Sequence, residues 1–469
     1  MRYNKQDLLL FILLLISIMS NAQMNNDSLF IDAKMWSRDS NRNIQYSDWQ
    51  KFGTKVVDQL AGFNPVESEL DAFGGNLNIK AKATGFFRTQ KINDRWWVID
   101  PLGHGYIVKA MNSLRQGNSP NNKKVFDSLF GTTDQWIHST TNQLRNMGFN
   151  CAGSWSDIES ITKMNQSHTN KLPYTTQLNL LSEFVKRKKL DNVKKSYPTL
   201  VYIFEEGFKE FCENKCASLI QIKSDSNLLG HFSDNELPFQ DDLIKQFSAL
   251  AAEHHLAYTT LLDWANNNKV DIKNPTKEQK NAFAGFVSTQ YFKIVSESIK
   301  KYDPNHLYIG SRIHSSVKDN PYVFKAMEPY VDIVSINYYG YWNIAPKHIA
   351  NWASYTNKPF FITEFYTKAV DANMTNISGA GWLVKTQEDR GNYYQNICMT
   401  LLKMNNCVGW HWFKYQDNDP SDLMADPSNN DSNKGIVNNQ YIVYKSLAQK
   451  MTQLNKNDYF LISYFLKNK

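Results

Sequence analysis

From Tyr106 to the carboxyl terminus, short apolar runs alternate with longer stretches whose apolar residues recur near the helical period. Eight short runs have the length and the aromatic and β-branched content of strands: residues 106–113, 148–155, 173–180, 227–236, 306–314, 332–340, 359–366 and 408–416. Helical patterns lie between them, for example at 136–147 and 282–300, the latter with Phe283, Phe286, Ile294, Val295 and Ile299 on one face. Asp303, Pro304 and Asn305 then break the helix before the fifth strand. Upstream, 85–90 and 95–100 alternate around a turn at Asn93 and Asp94, which predicts a hairpin. Residues 23–80 are polar, with apolar positions too scattered to suggest an independent domain.

Eight strands alternating with helices predict an α/β fold, a (β/α)8 TIM barrel over 106–469. A short amino-terminal extension with its β-hairpin, 23–105, should pack on that barrel. No GxGxxG or GxxxxGK[ST] phosphate loop is present, which weighs against a nucleotide-binding sheet.

The first residues read as a targeting segment. Arg2 and Lys5 precede an apolar run over 8–19, and Ser20, Asn21 and Ala22 offer small residues for cleavage before Gln23. Residues 1–22 are therefore expected to be a removed signal peptide, with the protein secreted or periplasmic. The run is shorter than a membrane span, which takes about 20 apolar residues. At 469 residues and 42% hydrophobic content, disorder and a disulfide-stapled scaffold are both excluded. The five cysteines make an odd count with no CxxC, and free thiols are the expectation. The net charge of +7 is dispersed, and the basic run at 186–189 reads as a solvated helix face, so no nucleic-acid partner is expected. Aromatic residues reach 13%, with 12 Trp, a composition suited to flat apolar ligands such as sugar rings.

A barrel places its chemistry at the carboxyl ends of its strands. The fourth strand ends in Asp234, Asn235 and Glu236; the seventh ends in Thr363 and Glu364. Either glutamate alone would read as a rim charge. Two carboxylates facing each other across a cleft are what glycosidic cleavage requires: one protonates the leaving oxygen and the other supports an oxocarbenium-like transition state. No metal is expected, because HExxH and Cys/His ligand spacings are missing and His254 and His255 are consecutive. No GxSxG elbow follows a strand, and no cofactor is implied.

Asn235 and Glu236 on strand four with Glu364 on strand seven resemble the retaining glycoside hydrolases of the clan A barrel type. FFRTQKINDRWWVIDPLGHGYIVKAMNS, HFSDNELPF, YDPNHLYIGSRIH, FFITEFYTKAVD, GAGWLVKTQEDRG and GWHWFKYQDND, in that order, narrow the resemblance to the family 50 β-agarases and their relatives. The likeness covers most of the chain after Phe86. Phe239 stands where that family commonly has a Trp after the Pro. The resemblance implies Glu236 as acid/base, Glu364 as nucleophile, and a galactose-containing algal polysaccharide such as agarose as substrate. Carrageenan, porphyran, a β-glucan, or a barrel that binds polysaccharide without cutting it are the alternatives.

The expected substrate-binding residues are Asn112, Trp155, Asn235, Arg312, His314, Tyr338, Trp342, Trp382, Trp410 and Trp412. Asn235 could bond a sugar 2-hydroxyl, and Tyr338 could hold the nucleophile ionised. Arg312 and His314 alternate with Ile313 and should share the lumen side. The five tryptophans lie in or beside rim loops as candidate stacking platforms. His411 falls between Trp410 and Trp412, so a lumen-facing Trp pair would turn it toward the helices.

Overall fold

Alternating apolar positions become eight parallel strands: β1 (Val108–Met111), β2 (Cys151–Ala152), β3 (Tyr174–Gln177), β4 (Leu228–Phe232), β5 (Leu307–Tyr308), β6 (Val334–Asn337), β7 (Phe360–Glu364) and β8 (Cys407–Trp412). The computed structural model describes residues 29–468 apart from 42, 67, 192–196, 241, 254, 423, 424 and 426–429, so the expected signal peptide lies outside the described residues. Hydrogen bonding runs β5-β4-β3-β2-β1-β8-β7-β6. Just past β5, Ile313 bridges to Ile336 of β6, its N–H donating to the Ser335 carbonyl at 2.9 Å, and this closes the ring. All eight strands expected from the sequence are present, and the fold is a (β/α)8 barrel.

Two apolar layers hold it. Val108, Ala110, Cys151, Leu229, Ile309, Ile333, Phe361 and Val408 fill the lumen. A larger cluster, including Trp410 and Trp412, lies between strands and helices. The helices begin where capping chemistry allows. Thr276 and Gln279 form a reciprocal capping box on the helix Lys277–Tyr302, and Asp303 ends it. Among the described residues no helix is long and apolar enough to cross a membrane. All five cysteines are free and buried.

The floor is built by the hairpin. Arg88–Ile92 and Arg95–Ile99 pair antiparallel, with Ile92 opposite Arg95. Asn93 (φ 49°) and Asp94 (φ 60°) take the two left-handed positions that a tight hairpin turn demands. Two further strands, His104–Tyr106 and Asn76–Lys80, complete this sheet. It is tied to the amino-terminal end of β8 by Arg95, which donates to the carbonyls of Leu402 (2.9 Å) and Cys407 (3.3 Å). Phe87 and Val98, both 0% exposed, rise from this sheet into the lumen.

The stretch before the hairpin departs from the irregular chain expected. Leu29–Lys34 pairs with Gln50–Thr54 and, across more than 340 residues, with Trp382–Val384, which in turn pairs with Thr367–Ala369 after β7. Only Ile31 and Ala33 are buried in Leu29–Lys34, so a strand with two buried apolar residues leaves little trace in the sequence although it is paired on both sides. A second small hairpin, Trp36–Arg38 with Ile44–Tyr46, extends it over the barrel mouth.

Phe87 closes the floor without touching the mouth. Replacing it with Ala should cost about 3–5 kcal/mol of stability, read as a fall in melting temperature, because the plugged lumen cannot collapse onto the cavity. A loss well under 1 kcal/mol would show that the hairpin is not the barrel's floor.

Candidate active site

At the carboxyl ends of the strands the backbone departs from ordinary conformations. Ser113, Trp155, Glu236, Arg312 and Ser315 all have φ between 52° and 66°, following β1, β2, β4 and β5. Left-handed backbone costs a non-glycine residue about 1–2 kcal/mol. Concentration of such residues at one end of a barrel marks that end as the place where geometry is imposed for function. Ser113, Trp155 and Glu236 line one open cleft of about 520 Å³, together with Asn235, His314, Tyr339, Glu364 and Tyr366.

Glu364 reaches this cleft through a fault in the ladder. Ile336 of β6 pairs with Ile362, but the next residue, Asn337, pairs with Glu364, so Thr363 is an extra residue on β7. A bulge of this kind re-aims the side chains that follow it. Thr363 Oγ1 donates to Asn337 Oδ1 at 2.7 Å, and the Asn337 amide donates onward to Glu236 Oε1 at 2.8 Å and Asn235 Oδ1 at 3.2 Å. One asparagine therefore links the strand that carries Glu364 to the loop that carries Glu236.

Both oxygens of Glu364 are engaged. Arg312 donates from one terminal nitrogen to Oε1 and, at 3.2 Å, to the Thr363 carbonyl, while the Tyr339 hydroxyl donates to Oε2 at 2.6 Å. The guanidinium is fully buried between the rings of Trp155 and Phe232, 5.7 and 5.4 Å from their centroids. Burial pushes the Glu364 carboxyl above its ordinary value and the Glu236 charge adds to that push, while Arg312, Tyr339 and Lys434 pull it down. Burial also raises the Tyr339 phenol far above its usual value, so it stays a donor. Across the cleft, His314 Nδ1 stands 3.9 Å from Glu236 Oε2.

Of the residues singled out in the sequence, Glu236, Glu364, Asn235, Trp155 and His314 meet in the cleft, with Arg312 directly behind Glu364. The others are placed elsewhere. Tyr338 meets Glu364 only through the backbone, its N–H donating to the Glu364 carbonyl at 2.8 Å, and its hydroxyl does not reach the carboxylate. Its side chain points outward, where its hydroxyl meets His348 Nδ1 at 3.0 Å and accepts from the Ala345 N–H at 2.9 Å. Alternation past β6 gives the mouth to Asn337 and Tyr339 instead. Trp410 and Trp412 are 0% exposed and face the helices, their indoles donating to Tyr394 Oη and the Lys434 carbonyl. The phase of β8 is thus the reverse of a lumen-facing Trp pair. His411 turns inward against Phe232 and Phe361, and burial with the Arg312 charge holds its pKa far below 6.5. Trp342 and Trp382 pack on Phe52 of the extension, and the Trp342 indole bonds Thr54, so neither is open to a sugar. Asn112 is sealed in the lumen, donating to the Thr363 carbonyl at 2.8 Å with Oδ1 3.3 Å from His411, so it supports β7 from below.

Several cleft residues had no signal in the sequence. Trp36 and Arg38 arrive from the amino-terminal hairpin, and Phe413, Lys414 and Lys434 from the segment after β8. Tyr339 and Asn337 could have been found by counting alternate residues beyond the sixth strand.

Two His/Asp groups outside the cleft have metal-like spacing. In one, Asp303 Oδ2 is shared by His231 Nε2 (2.9 Å) and His306 Nδ1 (2.7 Å), whose other nitrogens meet Thr176 and the Asp225 carbonyl. In the other, His104 Nδ1 meets Asp71 at 2.6 Å, and burial together with the Asp71 carboxyl pushes Asp100 up to about 7. Neither group is among the residues that line the cleft with the two glutamates.

The fold and cleft define a class: a (β/α)8 barrel in which carboxylates from strands four and seven converge at the mouth. Beta-agarase B of Vibrio sp. (strain JT0107) is 23% identical over 478 residues, covering 81% of this chain and 49% of that protein. The chain thus spans about half the length of this relative. Beta-agarase A of the same organism is 31% identical over 171 residues, 35% of this chain and 16% of its own length. The crystal structure of BpGH50 superposes with a TM-score of 0.82 at 28% identity, covering 95% of this chain and 98% of that one. The agarase AgWH50C shares the fold at a TM-score of 0.69 and 21% identity, over 85% and 67% of the two chains. No family profile matches the chain. The chain is a homologue of beta-agarase B and has the fold of the family 50 structures.

Tyr339 donates to the ionised form of Glu364, so removing its hydroxyl should raise the Glu364 pKa further. A ¹³C-carboxyl NMR titration of Tyr339→Phe should show Glu364 ionising at higher pH than in the parent. An unchanged or lower midpoint would show that the bond does not hold the carboxylate.

Proposed function

We propose that this protein is a retaining glycoside hydrolase that cleaves β-glycosidic bonds in a galactose-containing algal polysaccharide of the agarose type. The single observation that carries the reading is the convergence of Glu236 and Glu364 in one open cleft, joined through Asn337. Homology to beta-agarase B and the likeness to BpGH50 support the substrate class. Export through the cleaved segment 1–22 fits a polymer too large to enter a cell.

In the first step Glu364 attacks the anomeric carbon. The bond from that carbon to the leaving oxygen breaks, and the proton of Glu236 passes to the departing oxygen. Arg312 and Tyr339 fix the attacking carboxylate in place and oppose the cost of its burial, so it arrives ionised and oriented. In the second step Glu236, now a carboxylate, takes a proton from water as the water oxygen bonds to the anomeric carbon. The ester to Glu364 breaks and the carboxylate is restored. Asn235, beside the acid, is placed to bond a hydroxyl of the sugar, and Trp155 to meet its apolar face.

The raised Glu364 pKa sets the pH dependence. Below it the carboxyl is neutral and cannot attack, so activity should be lost as pH falls, and at a higher pH than an ordinary glutamate would give.

The roles are separable by experiment. Glu364→Gly should lose turnover even on an aryl galactoside with a good leaving group, and azide should restore it with a product of inverted configuration. Glu236→Gln should keep the first step on that activated substrate, since a good leaving group needs little protonation. Azide rescue of Glu364→Gly with retained configuration would exchange the two assignments. Full activity in both variants would remove the reading altogether.

A further inference from the structure

Beyond the two glutamates, the charged residues lining the cleft are mostly basic: Arg38, Arg115, Lys414 and Lys434, against Asp422. Lys434 lies over the rings of Tyr366 and Phe413, 5.0 and 5.4 Å from their centroids, and so belongs to the wall itself. Arg115 and Lys414 differ. Among the described residues neither side chain makes a hydrogen bond or an ion pair; both line the cleft, Arg115 exposed and Lys414 half-buried, and the Arg115 charge disfavours the Lys414 ammonium.

Their placement is set by the barrel. β1 and β8 are neighbours, with Met111 opposite Trp412, so the loops that leave them stand side by side. The Lys414 N–H donates to the Lys434 carbonyl at 3.2 Å and the next residue, Tyr415, donates to the Asn112 carbonyl at 3.0 Å, which pins the backbone that carries the lysine. Arg115 sits two residues past the strained Ser113. The pair therefore occupies the β1/β8 side of the mouth, away from the Asn337 link between the glutamates.

An ammonium drawn out of water beside a guanidinium is unfavourable unless an anion joins it. Burial and the Arg115 charge push Lys414 down to about 8, and Asp417 and Asp422 offset only part of this. Asp417 is already bound to Asn433, the Gly435 N–H and Tyr444. The described residues thus leave part of this charge for a negative group on the ligand to meet.

We propose that Arg115 and Lys414 form a subsite for an anionic substituent, a sulfate ester or a carboxylate on the sugar, so that the cleft prefers a charged galactan to a neutral one. The inference rests on the glycosidase reading for its substrate and on the unpartnered cation pair for its charge.

The test uses galacto-oligosaccharides of one length that are neutral, 6-O-sulfated, or oxidised to uronate at carbon six. The native protein should favour one charged series over the neutral one by about tenfold in kcat/KM, as a charge-assisted contact allows, with the advantage shrinking as salt rises. The better of the two charged series identifies the anion. Lys414→Met and Arg115→Gln should each reduce the preference, and the double variant should abolish it. Equal cleavage of charged and neutral sugars, or a preference that survives in the double variant, would overturn the subsite. If none of the three is cleaved, the glycosidase reading falls and calorimetric affinity decides the subsite. Tighter binding of a charged sugar that the double variant loses supports it, and equal affinities overturn it.

Discussion

A carboxylate held out of water at the mouth of a barrel needs a cation in direct contact, and Arg312 supplies it to Glu364. Arg312 is fully buried and Glu364 is 6% exposed, so neither charge has bulk water to fall back on. Removing one partner of such a pair costs about 3–5 kcal/mol, since it strands the other. Much of the mouth is arranged around that contact. The extra residue at Thr363 turns Glu364 inward, and the left-handed backbone at Arg312 sends the guanidinium under it. Trp155 and Phe232 enclose the guanidinium, and Tyr339 takes the remaining carboxylate oxygen.

The two ends of the barrel divide the work. At the amino-terminal end, Phe87 and Val98 plug the lumen and Arg95 anchors the hairpin to β8. That end is apolar and regular, with a turn whose left-handed residues are Asn and Asp, types that tolerate it. At the carboxyl-terminal end, left-handed residues, a bulge and buried polar groups accumulate. Stability contributed by the floor and the outer apolar layer offsets the strain of the mouth.

The sequence made the strands and the floor hairpin legible because both rest on local signals, namely alternation and turn chemistry. The two glutamates were legible because each ends an apolar strand in a polar residue. What the sequence hid was phase. β8 carries one extra residue against β7, with Phe360 opposite Cys407 and Ile362 opposite Trp410, and Gly409 (φ 152°) lies within that irregularity. Beyond that break His411 takes the lumen and Trp410 and Trp412 take the helices, a choice no alternation argument fixes alone. Tyr338 was taken for Tyr339 although β6 keeps its alternation, since the extra residue is Thr363 on β7 and counting on from Asn337 gives the mouth to Tyr339. Trp342 and Trp382 were read as rim platforms because their partner, Phe52, comes from an extension with no strong pattern of its own.

The central claim is that Glu364, held by Arg312, attacks the sugar directly. Proton NMR of a galacto-oligosaccharide digest, followed from the first turnover, tests it through the configuration of the new reducing end. Double displacement through Glu364 predicts that the β-anomer appears first and the α-anomer only later, by mutarotation. An α-anomer as the initial product would mean that water attacks the sugar in a single step, and that Glu364 is not the nucleophile.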